Sequence, residues 1–293
     1  MKAKNIVLAI LMVLSFAACT SEMEGIDNNG NSAGIETATS IVVNFLTEET
    51  ATKSSDNSIS QYVIAVFEAK TGDRVGYASG TSKGGNPVSI ENIDSKEGQV
   101  KVYVVVNAPV DKFSTIYTLN DFENATVENL DDLVMVGKNE IELKKESNHL
   151  DVALYHLSAQ VKVKVNIQGD GNPTFQANAY EANIATSSKI VNPTAALAES
   201  VSYDLTDVSA FTYRTYTVKD PVLKLSGAIS VDGKQKDVSI DISFKENGKT
   251  LDALLNGKSY ELIIDLKVSV KFEVSVSYSI HEIREISNDV SFS

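Results

Sequence analysis

Residues 100–110, VKVYVVVNAPV, do more than any other stretch to limit what this chain can fold into. Val100, Val102, Val104 and Val106 alternate with Lys101, Tyr103, Val105 and Asn107. A period of two puts the four valines on one face of a strand. From Tyr103 onward the opposite face turns apolar as well. A strand that is apolar on both faces sits in the middle of a sheet and is covered by a second layer. Asn107-Ala108-Pro109 stops it, because proline offers the ladder no N–H and drives its predecessor into an extended or turn conformation. The stretch predicts the spine of a β-sandwich domain.

At 293 residues the chain exceeds one average domain. Its hydrophobic fraction of 43% supplies enough apolar surface for a real core. The net charge of −13 makes nucleic acid and anionic membrane faces poor partners. Residues 1–18 read as an export signal: Lys2 and Lys4 precede the apolar run IVLAILMVL, which is too short to span a bilayer. Ser15-Phe16-Ala17-Ala18-Cys19 then resembles a bacterial lipobox, with Phe16 where leucine is usual. Cys19 is the only cysteine, so no disulfide within the chain is possible, and its thiol is the expected site of lipidation. Each lipid CH₂ buried in the membrane contributes ~0.8 kcal/mol of anchoring.

Residues 19–40 are rich in Ser, Asn, Gly and acids and predict a flexible tether. Ile41, Val43 and Phe45 then alternate along a first strand, IVVNFL. Residues 47–60, TEETATKSSDNSIS, predict an exposed loop of the kind proteases cut, and Lys53 is its only basic residue. Residues 61–68 predict a second strand, 74–77 its hairpin return and 88–93 a short strand. Phe113, Ile116, Tyr117, Leu119 and Phe122 sit near helical spacing, which predicts short helices across the end of the sandwich. After a brief strand at 141–143, the charged connector 144–148 marks the expected boundary between an N-terminal sandwich, residues 41–148, and a C-terminal one, residues 149–293. In the second half, strands are predicted at 157–167, 221–231, 236–244, 258–268 and 271–280, with weaker candidates at 177–184 and 203–205. Asp232-Gly233, Asn247-Gly248 and Asn256-Gly257 are the turn signals between them.

Chemistry is sparse. Gly248-Lys249-Thr250 and Gly257-Lys258-Ser259 mimic the end of a P-loop, but Ser243 and Asp252 stand where the motif needs its first glycine. His149, His156 and His281 lack metal-ligand spacing. Asp131-Asp132 and Glu48-Glu49 are adjacent acids whose side chains point apart on a strand. Asn124-Ala125-Thr126 is a glycosylation sequon by spelling only. The residues predict no catalytic group, no metal site and no cofactor, hence no enzyme.

Several segments, in order, resemble the fimbrillins, the FimA-like type V pilins that are major fimbrial subunit lipoproteins of Gram-negative anaerobes. They are the lipobox at Cys19, the strand IVVNFL, and Ala51-Thr52-Lys53 where the family often has Thr-Arg. Then come Val66-Phe67-Glu68-Ala69 with Gly72 after it, and Val104-Val105-Val106-Asn107-Ala108-Pro109. Leu133-Val134-Met135-Val136-Gly137 resembles the family's Leu-x-Met-x-Gly segment. LYHLSAQVKVKV, residues 154–165, resembles the strand that opens the family's second domain, and Gly257-Lys258-Ser259-Tyr260 precedes a late strand as it does there. Two departures stand out: Lys53 replaces the usual arginine, and the tryptophan often found near the C-terminus is missing, Tyr278 being the nearest aromatic.

The resemblance implies an all-β chain of two transthyretin-like Greek-key β-sandwich domains with short helices in the connections. It implies export to the outer membrane as a lipoprotein, a proteolytic cut after the first strand, and polymerisation by strand donation into a surface fimbria supporting adhesion or biofilm. The partners implied are copies of itself or other pilins, the outer membrane through the lipid, and a processing protease. On this reading Lys53 is the maturation candidate, and Ile41, Val43 and Phe45 belong to the released strand. A sandwich lacking one strand exposes an apolar groove and unpaired backbone groups, which a neighbouring chain can fill by β-augmentation. Ile280, Ile283, Ile286, Val290 and Phe292 in the C-terminal tail are the donor-strand candidates. A tip or accessory subunit, which needs only to accept a strand, stays open, as does a surface glycan-binding lipoprotein; against the latter, the chain has no Trp and 7% aromatics.

Overall fold

The computed structural model describes residues 38–47, 58–82, 89–145, 148–194, 198–208, 210–246 and 248–283. The first half runs β1 (Ala38–Thr47), β2 (Gln61–Glu68), β3 (Arg74–Thr81), β4 (Ser89–Lys96) and β5 (Gly98–Val106). There follow α1 (Asp111–Ser114), α2 (Leu119–Asn124), the two-residue β6 (Thr126–Val127), a 3-10 turn at Leu130–Asp132, β7 (Met135–Leu143) and β8 (Asn148–His156). The seven longer strands form one sheet in the order β3-β2-β5-β7-β8-β1-β4.

β5 is the expected spine. It pairs antiparallel with β2 on one side and β7 on the other. Val102, Val104 and Val106 are fully buried in a core shared with Ile41, Ile64 and Val152. The sheet curls around that core until its edge strands meet: a β-carbon on Gly76 in β3 would stand 2.7 Å from the Asp94 carbonyl in β4. The opposite face of β5 is covered as well. Tyr103 and Phe67 pack on Phe122 of α2, with ring centroids 5.5 and 5.2 Å away, and Phe113 of α1 adds a fourth ring at 5.5 Å from Phe122. Thr118 caps α2 by accepting a hydrogen bond from the Asp121 N–H. The Arg74 guanidinium fastens this layer to β3. It stacks 4.5 Å from the Tyr77 ring and 4.3 Å from Tyr117 while donating to the Ile116 carbonyl at 2.7 Å.

The second half is all strand: β9 (Ala159–Gly169), β10 (Thr174–Ile184), β11 (Ser188–Lys189), β12 (Glu199–Val208), β13 (Ala210–Thr215), β14 (Val218–Lys219), β15 (Val222–Val231), β16 (Lys234–Ser243), β17 (Lys245–Glu246), β18 (Lys249–Thr250), β19 (Ala253–Leu254), β20 (Ser259–Val268) and β21 (Val274–Glu282). Two four-stranded sheets, β12-β10-β15-β16 and β13-β9-β20-β21, carry the core. Short ladders β6–β11, β14–β19 and β17–β18 tie the connections. Val161, Val163, Leu223, Leu225, Leu262 and Ile264 are at most 1% exposed, and this core is continuous with the helix layer of the first half. Tyr180 on β10 stacks on Phe211 of β13 at 4.6 Å and on Tyr203 of β12 at 5.0 Å, bridging the two sheets. Asp232 and Gly233, both with positive φ, close the β15–β16 hairpin as a two-residue turn.

The all-β expectation holds, and several boundaries move. β1 begins at Ala38, inside the expected tether, and Thr39 is already buried. β7 is nine residues long where a three-residue strand is expected. β8, which follows the charged connector, lies in the same sheet, beside β7 and β1. Asn148, Leu150, Val152 and Leu154 point inward on β8 and His149, Asp151 and Tyr155 outward, so the alternation was present beneath the charges of 142–151.

Candidate functional site

β1 is held in the sheet by two partners distant in sequence. On one side it runs parallel to β8, from Ile41 opposite Asn148 to Thr47 opposite Leu154. On the other it runs antiparallel to β4, from Ala38 opposite Lys96 to Asn44 opposite Ser89, with a bulge between Ile41 and Val43. Thr39, Ile41, Val43 and Phe45 face inward and are 7%, 0%, 0% and 7% exposed, whereas Leu46 is 51% exposed. Phe45 packs against the Tyr62 ring at 6.1 Å. Burying three such side chains is worth roughly 5–9 kcal/mol gross. Without β1, β4 and β8 would border an apolar slot and expose two rows of unpaired backbone groups.

The slot has a polar end. The Asn148 side-chain amide donates to Thr39 Oγ1, the Ser40 carbonyl and the Lys144 carbonyl, each at 3.0 Å, and its oxygen accepts from the Lys144 N–H at 3.0 Å. Burying an amide without such partners would be costly. At the other end, Asn44 Nδ2 donates to Asp151 Oδ1 at 2.7 Å on the outer face.

Of the expected site residues, Ile41, Val43 and Phe45 come together in this slot. Ile280 does not lie in a free tail. It sits on β21 opposite Leu262, 2% exposed, because alternation continues through Ser279 to the end of that strand. Ile283 follows β21, half-buried, and its N–H donates to the Ser259 carbonyl at 2.8 Å. Cys19, Lys53, Ile286, Val290 and Phe292 lie outside the described residues. Asn148, Thr39 and β8 as a strand of the first sheet went unread in the sequence, where a polar residue after a charged run looks like loop; residues 154–156, read there into the strand that follows, end β8, and β9 begins only at Ala159.

The groups set aside in the sequence are structural. Gly257 has φ 70° at a turn, and Lys258 pairs with Glu282 at 2.7 Å. His149 is exposed, and His281 stands 3.3 Å from Glu261 on the outer face of its sheet. Glu261 also pairs with Lys164, whose hydrogen bond holds its carboxyl below the usual range. Among the described residues no three His, Cys, Asp or Glu side chains are grouped to hold a metal.

Comparison with known proteins agrees with a fimbrial architecture. Residues 22–142 match the family model of the major fimbrial subunit protein, FimA, a structural family and not an enzyme family. Among solved structures, a candidate cell adhesion protein from Parabacteroides distasonis superposes with a TM-score of 0.65 at 14% identity, covering 86% of this chain and 98% of that one. A fimbrilin, FimA, from Porphyromonas gingivalis gives 0.62 at 15% identity over 84% and 97%. The tip fimbrial protein Mfa3 from Porphyromonas gingivalis, with a C-terminal truncation, gives 0.57 at 14% identity over 84% and 100%. At these identities the likeness establishes the fold. A comparison with curated proteins gave no match.

Proposed function

From the FimA family match over residues 22–142, we propose that the chain is a structural subunit of a surface fimbria that polymerises by exchanging β1 for a strand of a neighbouring copy. The observation that carries this is β1 itself. It is a strand with an apolar inner face held between two partners remote in sequence, and the only basic residue in the following segment 48–57 is Lys53. A cut there would disconnect β1 from β2 and leave its slot to be refilled. Export is as a lipoprotein on Cys19, which holds the precursor at the outer membrane. The body is two structural domains, and because β8 belongs to the seven-stranded sheet the proposed boundary moves from 148/149 to near Leu157-Ser158.

The donor is the C-terminal tail beyond β21. Ile280 is committed to its own sheet and Ile283 still bonds to Ser259, so the donor lies within residues 284–293. Ile286, Val290 and Phe292 are separated by even numbers of residues and share one face of an extended chain.

Limited trypsin treatment with negative-stain imaging and N-terminal sequencing of the fibres tests the reading. Fibres are expected only after treatment, with a new N-terminus at Ser54; fibres that start at Cys19 would overturn the cut. Cys19→Ser is expected to abolish labelling by a palmitate analogue, and equal labelling would overturn the anchor. Removing residues 284–293 is expected to leave the melting temperature near that of the parent and to abolish polymerisation. Fibres from the truncated chain would mean that the donor lies elsewhere.

A further inference from the structure

The place that β1 occupies is chemically graded along its length. One end is polar. Asn148, 8% exposed, reaches across from β8 to Thr39 and Ser40. On the opposite wall Ser95 of β4 stands across from Thr39 in the ladder, 6% exposed, and its Oγ has no hydrogen-bond partner among the described residues. The Thr39 hydroxyl donates to the Lys144 carbonyl and accepts from Asn148, and it leaves Ser95 unmet. Further along, the places of Ile41 and Val43 are fully buried and apolar. A strand seated here must carry a polar side chain followed at steps of two by apolar ones. Buried polar groups left without partners are penalised, and so are amides in apolar places.

We propose that this polar end sets the register of strand exchange, with Asn288 of a second copy taking the place of Thr39 and Val290 and Phe292 taking those of Ile41 and Val43. The inference rests on the tail being the donor. An amide offers both donors and an acceptor and reaches one atom further than a threonine hydroxyl, so it serves Asn148 and Ser95 together. The competing registers fail on the same residues. Advancing the tail by two puts the Asn288 amide in the apolar place of Ile41. Reversing the strand with Asn288 kept in the place of Thr39 carries Arg284 into the place of Val43, a buried charge with no partner. Asn148 is thus a positioning residue that selects how, and with which strand, the groove is filled.

Paired cysteines on the outward face read the register in the full-length chain after protease treatment, with Cys19→Ser removing the native thiol. In the proposed register Ser291 takes the place of Val42, opposite His149; advanced by two it takes that of Asn44, opposite Asp151. Directly opposed strand positions lie within disulfide reach. Intermolecular disulfides are expected in Ser291→Cys/His149→Cys and not in Ser291→Cys/Asp151→Cys. Cross-linking through position 151 would overturn the register and leave strand exchange standing. Assembly with neither pair cross-linked, or no assembly of either variant, would overturn both. A second measurement changes the donor first: Asn288→Leu is expected to slow assembly at least tenfold, and Asn148→Leu added to it to restore part of the rate. An unchanged rate for Asn288→Leu would overturn the role of the polar end.

Discussion

Asn107 Nδ2 donates to the Ser58 carbonyl at 2.7 Å, and its Oδ1 accepts from the Ser60 N–H at 2.8 Å. Asn107 ends the spine strand and carries φ 64°, a conformation that asparagine tolerates better than most residues. One side chain therefore closes β5 and pins the chain where it resumes after the expected processing loop. Asn107→Ala loses both bonds and strains the backbone, and is expected to cost about 2–4 kcal/mol. Asn107→Gly loses only the bonds and is expected to cost less. Urea denaturation of the pair separates the two effects, and equal losses would show that the backbone conformation contributes nothing.

Val104 has no exposed surface and lies in a sheet covered on both faces. Val104→Asp puts a charge there with no partner and is expected to cost more than about 4 kcal/mol, enough to unfold a marginally stable domain. Circular dichroism melting checks it; a melting temperature equal to that of the parent would place the spine at an exposed edge.

Gly137 in β7 allows close approach to β8. A β-carbon there would stand 2.3 Å from the Ala153 carbonyl and 2.6 Å from Val152 Cγ1. Gly137→Ala is expected to cost about 1–3 kcal/mol and to speed hydrogen exchange in β8, the wall of the β1 slot. Unchanged exchange in β8 would break that link.

Glu261 is held below the usual carboxylate range chiefly by the Lys164 hydrogen bond, with His281 adding to it, and Lys162 lies across from it in the ladder. A depressed folded value means the contribution is present above the unfolded pKa of ~4.3 and is lost as pH falls through the folded one. Lys164 is more than half exposed, so Glu261→Gln is expected to lower stability at pH 7 by no more than about 1 kcal/mol. The gap to the parent should close by pH 3. A gap that stays constant with pH would mean the carboxylate charge does not contribute.

The Tyr180 hydroxyl is pushed up to about 12, first by burial and then by Tyr203. Its neutral form is the folded form, so its contribution is complete below an unfolded pKa of ~10 and fades as pH rises towards 12. Tyr180→Phe should keep the ring stack and lose stability less steeply between these values. Tyr180→Ala should cost about 3–5 kcal/mol at pH 7. Parallel alkaline curves for parent and Tyr180→Phe would remove Tyr180 as the titrating group.

What the sequence disclosed was face, and what it concealed was partner. Val100 to Val106 told of a strand covered on both sides because period two alone fixes which side chains share a face. Asp232-Gly233 told of a hairpin because its positive φ values are a local demand. Neither kind of signal says that β1 lies parallel to β8. That pairing is made across most of the first half of the chain, and nothing local to residues 38–47 encodes it. Asn148 was hidden for a related reason: its inward direction follows from strand phase, while its composition and neighbours suggest a loop. Ile280 stood both at the end of the predicted strand 271–280 and among the donor candidates, and only its pairing with Leu262, which no local signal encodes, settles it in β21.

Thr39 and Asn148 are 109 residues apart, and a growing chain presents β1 long before either wall of its slot is complete. Non-local ladders form slowly because loop closure precedes any gain from pairing. β4 joins the sheet only through its ladder with β1, so the wall on that side is completed only when β1 pairs. A covalently attached β1 competes for its place at a high local concentration, which a strand from another copy lacks until the connection is cut.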